Sequence, residues 1–295
     1  MAAIIPQDPD DFPDIGTGLV DTADRFIDWL VINAGDFFDA IAGVIRGPLL
    51  WIEDVLDSAP PWLILVVLGL IAFVASRNIL FSLAVVVTTY LLGALQLWSE
   101  AMQTIAIMIT SILLAVLIGF PLGVLSARSD RFKAVLRPVL DVMQTIPPFV
   151  YLLPVAMLFG LGNVPGIIVV VVYATPPLVR LTDLGIREVS REVTEAARAF
   201  GATRWQTLRG VQFPLALPSI MQGVNQTTMA ALSMVVVASL IGARGLGEIV
   251  YVGLQRLELG QALLGGTGIV ILAIVFDRIT QAAGRRVQTY RNVRS

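Results

Sequence analysis

The chain has 295 residues, 56% of them hydrophobic and only 14% charged, with a mean hydropathy of +0.82. Soluble globular domains carry about 25% charged residues, so this composition excludes an ordinary soluble fold and points to a protein that crosses a membrane repeatedly. The absence of Cys and His removes thiolate and imidazole chemistry, disulfides and the usual zinc ligands together, and no metal or cofactor is expected.

The net charge of −2 hides an asymmetry. Residues 1–61 hold twelve acids against two bases, a net of −10; residues 62–295 hold ten acids against eighteen bases, a net of +8. The first residues lack a basic stretch followed by an apolar core, so no cleavable signal is expected. Residues 8–14 read as a solvated acidic lead-in. Beyond them Leu19, Ala23, Phe26, Ile27, Leu30, Phe37, Phe38, Ile41 and Ile45 recur at helical spacing, with Asp21, Asp24 and Asp28 on another face. This pattern predicts one or two amphipathic helices at the outer membrane–water interface. They brace the spans or offer a partner surface, and bracing is the simpler reading.

Seven apolar spans follow, at 61–76, 79–98, 101–127, 134–159, 164–179, 215–241 and 262–276 plus a few residues. A helix of about 20 residues crosses the hydrocarbon, so the third and sixth tilt or project beyond it. The fourth is interrupted by Pro147, Pro148 and Pro154. Bases gather in alternate loops: Arg77; Arg128, Arg131, Lys133 and Arg137; Arg180, Arg187, Arg191, Arg198, Arg204 and Arg209; and Arg285, Arg286, Arg291 and Arg294 after the last span. The other loops have none at 99–100 and 160–163, and two balanced by two acids at 242–261. Bases mark the cytosolic side, so the N-terminus faces out and the C-terminus in.

The polar segment 180–218 separates the fifth and sixth spans. Glu188, Glu192 and Glu195 interleave with Arg187, Arg191 and Arg198 at helical offsets, which predicts a surface helix with internal ion pairs. Gly201 can end it in the left-handed conformation. Residues 202–211 read as a second short helix stopped by Pro214. Within this segment Glu195-Ala196-Ala197 is followed by three residues, Gly201, nine residues, then Val211-Gln212-Phe213-Pro214. The spacing resembles the EAA loop of type I ABC importer permeases, whose pattern is EAA, three residues, G, nine residues, I-x-L-P; Val and Phe stand here for Ile and Leu.

The stretches MQTIPPFVYLLP at 143–154, LFGLGNVPG at 158–166 and PPLVRLTDLGI at 176–186 are similar to the quaternary-ammonium branch of that family. The branch imports glycine betaine, proline betaine, choline and related solutes, and the similarity covers about residues 60–284. It implies a non-enzymatic, multi-pass subunit of the bacterial inner (plasma) membrane. It implies as partners cytosolic ABC ATPase subunits, a second permease copy in a homodimer, an external solute-binding protein and the lipid bilayer; no nucleic acid is implied. The loop then docks on the ATPase through Glu195, Ala196, Ala197, Gly201, Val211, Phe213 and Pro214.

Two features suggest a path. Pro147-Pro148 with Met143 and Gln144 breaks the fourth span, and a broken helix at membrane depth needs protein or a wet cavity around it. It reads as a hinge or gate in preference to a static kink. In the sixth span Ser219, Gln222, Gln226, Met229 and Ser233 share a face, flanked by Asn225 and Thr228. That face lines a translocation path or makes interhelical hydrogen bonds, and both hold if the path lies at a dimer seam. No aromatic cage is apparent on it, which leaves cation–π recognition mainly to the binding protein.

Asp141 and Asp277 are the acids closest to the spans, with Arg137 and Arg278 as expected local partners. They do not form the paired acids of an intramembrane protease, nor a coupling-ion site that would favour a secondary transporter or channel, the alternative from another class. Residues 242–247, Gly-Ala-Arg-Gly-Leu-Gly, lack the Lys-Ser/Thr of a phosphate loop and read as a tight outer turn.

The expected fold is therefore all-α and polytopic. It comprises an acidic interfacial region (1–60), two accessory spans (61–98), a five-helix permease core (99–284) with the coupling loop at 180–214, and a basic cytosolic tail (285–295). A cysteine placed at Asp14 should react with an impermeant thiol reagent from outside, and one at Thr203 only after the membrane is opened. The reverse labelling pattern would overturn the seven-span count.

Overall fold

The computed structural model describes residues 16–292, with side chains through residue 284. The lead-in at 8–14 and the side chains of Arg285, Arg286, Arg291 and Arg294 lie outside that description. Among the described residues the chain is helical, with no strand.

Helix α1 (Gly16–Ser58) is kinked at Ala34, where the backbone leaves helical geometry (φ −123°, ψ 15°). Only its second half packs on the protein, burying Ala42, Ile45, Leu49 and Ile52, while Leu19 and Phe26 are 72% and 58% exposed. It meets α2 (Pro61–Ser76) at 112°, because Pro60 and Pro61 cannot extend the preceding helix and Pro61 sits where a helix begins. An amphipathic helix turned away from the first apolar helix fits an interfacial position.

Helix α3 (Ile79–Ala94) is capped by the Asn78 side chain, which accepts from the amides of Leu80 and Phe81 at 2.9 and 3.3 Å. It ends before the expected residue 98. Gln96 adopts a left-handed conformation (φ 59°), and Trp98 already opens α4 (Trp98–Arg128).

The expected fourth span is two helices, α5 (Asp130–Thr145) and α6 (Pro148–Phe159), set at 99°. Ile146, before the two prolines, is extended (φ −66°, ψ 129°), as the ring of the following proline requires. Twelve residues of α6 reach about 18 Å, well short of the roughly 30 Å hydrocarbon core. Neither half crosses alone. Helix α7 (Asn163–Arg187) runs past the expected end at 179, with Pro176 and Pro177 inside it.

After a polar connector come α10 (Phe213–Ser239), α11 (Leu246–Gln255) and α12 (Leu259–Asn292). Trp98–Arg128, Asn163–Arg187 and Leu259–Gly284 are each long and apolar enough to cross a membrane, and so is each bent pair taken together. Helix α10 has the length, at 27 residues, but its polar side chains dilute its hydropathy.

Hydrogen bonds place the helix ends. At one end Arg187 donates to the Ser126 carbonyl at 2.6 Å, joining the C-termini of α7 and α4. At the other, Thr104 Oγ1 accepts from Leu246 N and Asn163 Oδ1 from Arg244 N, both at 2.9 Å. Thus α4 and α7 run parallel, α10 returns between those ends, and the bent α5–α6 pair carries the chain back from Asp130 to Asn163. Arg128, Lys133, Arg180 and Arg187 gather at one end.

Helices α4, α7 and α10 form the centre. A Cβ added at Gly123 of α4 would lie 2.5 Å from Thr182 Cβ of α7, so only glycine permits that approach. Small residues at such crossings let backbones meet, where packing and not hydrophobicity drives association in lipid.

Candidate functional site

The polar connector folds as helix, glycine turn, helix. Helix α8 (Arg191–Ala199) carries Glu195 and Ala196 exposed and Ala197 half-buried. Gly201 is left-handed (φ 84°) with nothing within 4 Å of an added Cβ. Its amide bonds to Arg198 O at 2.9 Å and the Ala202 amide to Ala197 O at 3.1 Å. This double bond pattern closes the helix C-terminus. Thr203 then caps α9 (Arg204–Thr207) in a reciprocal box with Gln206.

Pro214 does not stop this second helix. A π-helical turn, Leu208–Gln212, carries it straight into α10, with Phe213 N bonded back to Leu208 O. The wider turn shifts the ladder just before Pro214, which cannot donate, so the proline sits in the first turn of α10. Val211 and Phe213 are half-buried and Pro214 is exposed. The Phe213 ring meets Phe120 of α4 edge-on at 5.6 Å. The tip exposes apolar surface: Phe200 is 93% and Trp205 60% exposed. Sequence reading passed over both; a bare aromatic beside the turn glycine was the available signal.

The expected ion pairs within the Glu188–Arg198 region are not formed among the described residues. The helix is interrupted between Arg187 and Arg191, and Arg187 turns inward instead. Its guanidinium bonds to Asp183 Oδ1 at 2.7 Å and Asp130 Oδ1 at 2.6 Å, besides the Ser126 carbonyl. Lys133 Nζ meets the other Asp183 oxygen at 2.7 Å. The Asp183 side chain is only 9% exposed. One carboxylate thus joins α5 and α7 directly, and Arg187 extends the junction to α4. The signal was an acid four residues before a base on a helix, hidden by ending the span at 179.

Asp141 pairs with Arg180 of α7 at 2.6 Å and not with Arg137; a base four residues before an acid is the weaker helical order. Asp277 accepts from the amides of Gln281 (2.8 Å) and Asn225 (3.3 Å) and not from Arg278, since adjacent helical residues point apart.

The polar face of α10 divides cleanly. Gln222, Gln226 and Ser233 are exposed, and Ser219 and Met229 are half-buried. Asn225 and Thr228 face the protein: Asn225 bonds to Asp277 and Thr280 of α12, and Thr228 to its own helix. Gln222 and Gln226 have no side-chain hydrogen bond among the described residues, so within one chain that stripe makes no interhelical bond. At the α5–α6 break, Pro147 is exposed, and Met143, Gln144 and Pro148 are half-buried. Tyr151 Oη donates to the Met143 carbonyl at 2.9 Å, an acceptor left open because Pro147 has no N–H, and lies 3.2 Å from the Val142 carbonyl, which already accepts the Ile146 amide. Tyr151, Leu152 and Val155 of α6 and Met229 of α10 belong to the same main core.

At the opposite end the glycine turn before α11 has Gly242 and Gly245 left-handed. The Asn163 amide donates to Glu53 of α1 at 3.0 Å, and burial raises the Glu53 carboxyl pKa above its ordinary value.

Residues 119–289 match the binding-protein-dependent transport system inner membrane components, and the chain belongs to that family. It is 48% identical over 259 residues to the glycine betaine/proline betaine transport system permease protein ProW of Escherichia coli (strain K12), covering 88% of this chain and 73% of that one. It is 43% identical over 272 residues to the glycine betaine/carnitine transport permease protein GbuB of Listeria monocytogenes, covering 90% and 95%. An inward-facing structure of the MetNI methionine ABC transporter is similar at a TM-score of 0.54 and 26% identity, covering 63% of this chain and 92% of that one.

Gly201→Val would place a branched side chain at φ 84°, a conformation costly for any residue with a Cβ. The protein should still insert, while association with its ATPase and uptake both fall several-fold in a pull-down and a transport assay. Unchanged association and uptake would remove the loop from coupling.

Proposed function

We propose that this chain is the permease subunit of an ATP-driven importer for quaternary-ammonium solutes such as glycine betaine, proline betaine or choline. It works as a homodimer in the bacterial inner membrane, with its N-terminus outside and its C-terminus in the cytosol. Two ATPase subunits dock on the Glu195–Gly201 turn, and an external binding protein delivers solute at the far end. The observation that carries the mechanism is continuity: the docking element runs through the π turn into α10 without a loop. Displacement of the turn therefore moves the helix that bears the polar stripe. The substrate class rests on the two named relatives, both transporting glycine betaine by name.

The stripe of Ser219, Gln222, Gln226, Met229 and Ser233 supplies the path or the seam between copies. Its glutamines are exposed in one chain, and polar groups at membrane depth require a bundle or a wet cavity. Neutral amides and hydroxyls offer a charged solute passing contacts without a strong counter-ion. Pro147 and Pro148, at the bend, form the gate beside it. The acidic α1 braces the far end through Glu53.

Gln226→Leu removes one polar partner from this face. Uptake should fall by about tenfold or more, while the ATPase still binds, because the docking turn is separate. Hydrolysis should then run uncoupled or lose its stimulation by loaded binding protein. Normal uptake in Gln226→Leu, together with loss of uptake on substituting the opposite face without unfolding, would assign the path to the wrong side of α10.

A further inference from the structure

A cavity of about 640 Å³ lies at the end of the bundle opposite the docking turn, between the start of α2, the end of α3 and the start of α4. Trp62, Tyr90 and Trp98 line it, and Glu100 is the one charged residue on its wall. The local sequence explains this gathering. The bend at Pro60-Pro61 presents Trp62 at the first turn of α2, and the left-handed Gln96 folds Trp98 back towards α3. A Cβ added at Gly93 would lie 3.6 Å from the Trp98 ring, an ordinary contact distance that places the indole against the end of α3. Trp62 and Tyr90 are 65% and 62% exposed, left uncovered by the chain itself. Glu100 makes no ion pair among the described residues.

Trp and Tyr also form belts at membrane interfaces, and an acid in a first turn suits a helix N-terminus. Neither tendency calls for two indoles, a phenol and an unpaired carboxylate around one void of ligand size. We propose that this cavity binds a methylated ammonium group. Ring faces carry negative quadrupole density that attracts a large, weakly hydrated cation, and Glu100 supplies the opposing charge. Glu100 also sets a preference: a choline-type cation binds better than a betaine, whose carboxylate it repels. The site deepens the proposed function by placing methylated-ammonium recognition on the permease, away from the α10 stripe. It rests on the lining of the cavity and not on transport. A free solute and a phosphocholine lipid headgroup share the required chemistry.

The test is equilibrium dialysis of radiolabelled choline against the full permease–ATPase complex in nanodiscs of phosphatidylethanolamine and phosphatidylglycerol. One saturable site per permease is expected, retained in Gln226→Leu and not displaced by ammonium chloride at equal ionic strength. Trp62→Leu and Tyr90→Leu, both at exposed positions, should each weaken choline by about tenfold. Glu100→Gln should weaken choline and leave glycine betaine unchanged or tighter, an inversion that a purely structural role does not produce. If phosphatidylcholine in the disc competes with choline, the headgroup is the occupant; if it does not, the occupant is the free solute. Absence of saturable binding, displacement by ammonium, or indifference to the aromatic substitutions overturns the site. Binding is read without transport, so a permease for a different solute class would still give a clear answer here.

Discussion

The carboxylate of Asp183 is the constraint on which the end of the bundle beside the α8–α9 connector depends. It is nearly buried and takes one cation on each oxygen, Lys133 from α5 and Arg187 from its own helix. A buried charge is tolerated only when paired and hydrogen-bonded, so these helices cannot separate at that point without exposing an uncompensated group. Arg187 passes the constraint on to α4 through the Ser126 carbonyl. Four residues beyond Arg187 the docking helix begins. The ionic junction thus holds α4, α5 and α7 as one block beside α8, the helix proposed to meet the ATPase.

On the other side of the glycine turn the chain is handled differently. Among the described residues no ion pair clamps it; continuous backbone runs from α9 through the π turn into α10. A hydrogen-bonded helix transmits displacement along its axis, and the Phe120–Phe213 ring contact ties its base to α4. A push on the turn is therefore divided between a rigid block and a helix bearing polar side chains on its uncovered face. Relative motion of these two parts is what alternating access needs from a subunit with no chemistry of its own.

Much of this was legible in the sequence, for physical reasons. Apolar runs and alternating bases gave the helices and their order, since hydrocarbon leaves a chain few options. Gly201 was readable because a left-handed helix end selects glycine. The polar stripe of α10 was readable from helical spacing, and its glutamines do lie on the open face. What was missed depends on neighbours distant in sequence. Arg187 turned from the connector because its own helix supplies Asp183, α5 brings the Asp130 carboxylate and α4 the Ser126 carbonyl. Asp141 found Arg180, 39 residues away. Pro214 looked like a stop because the π turn that accommodates it leaves no local mark. The aromatic cavity joins residues 62, 90 and 98, from three helices that no spacing rule connects.

In the proposed importer the Asp183 junction and the α9–α10 continuity together convert ATPase motion into solute movement. The most direct measurement is the number of solute molecules moved per ATP hydrolysed, in proteoliposomes holding the permease, its ATPase and its binding protein. Asp183→Asn should give a complex that still assembles and still hydrolyses ATP, with that ratio lowered several-fold. An unchanged ratio in the assembled variant would contradict it.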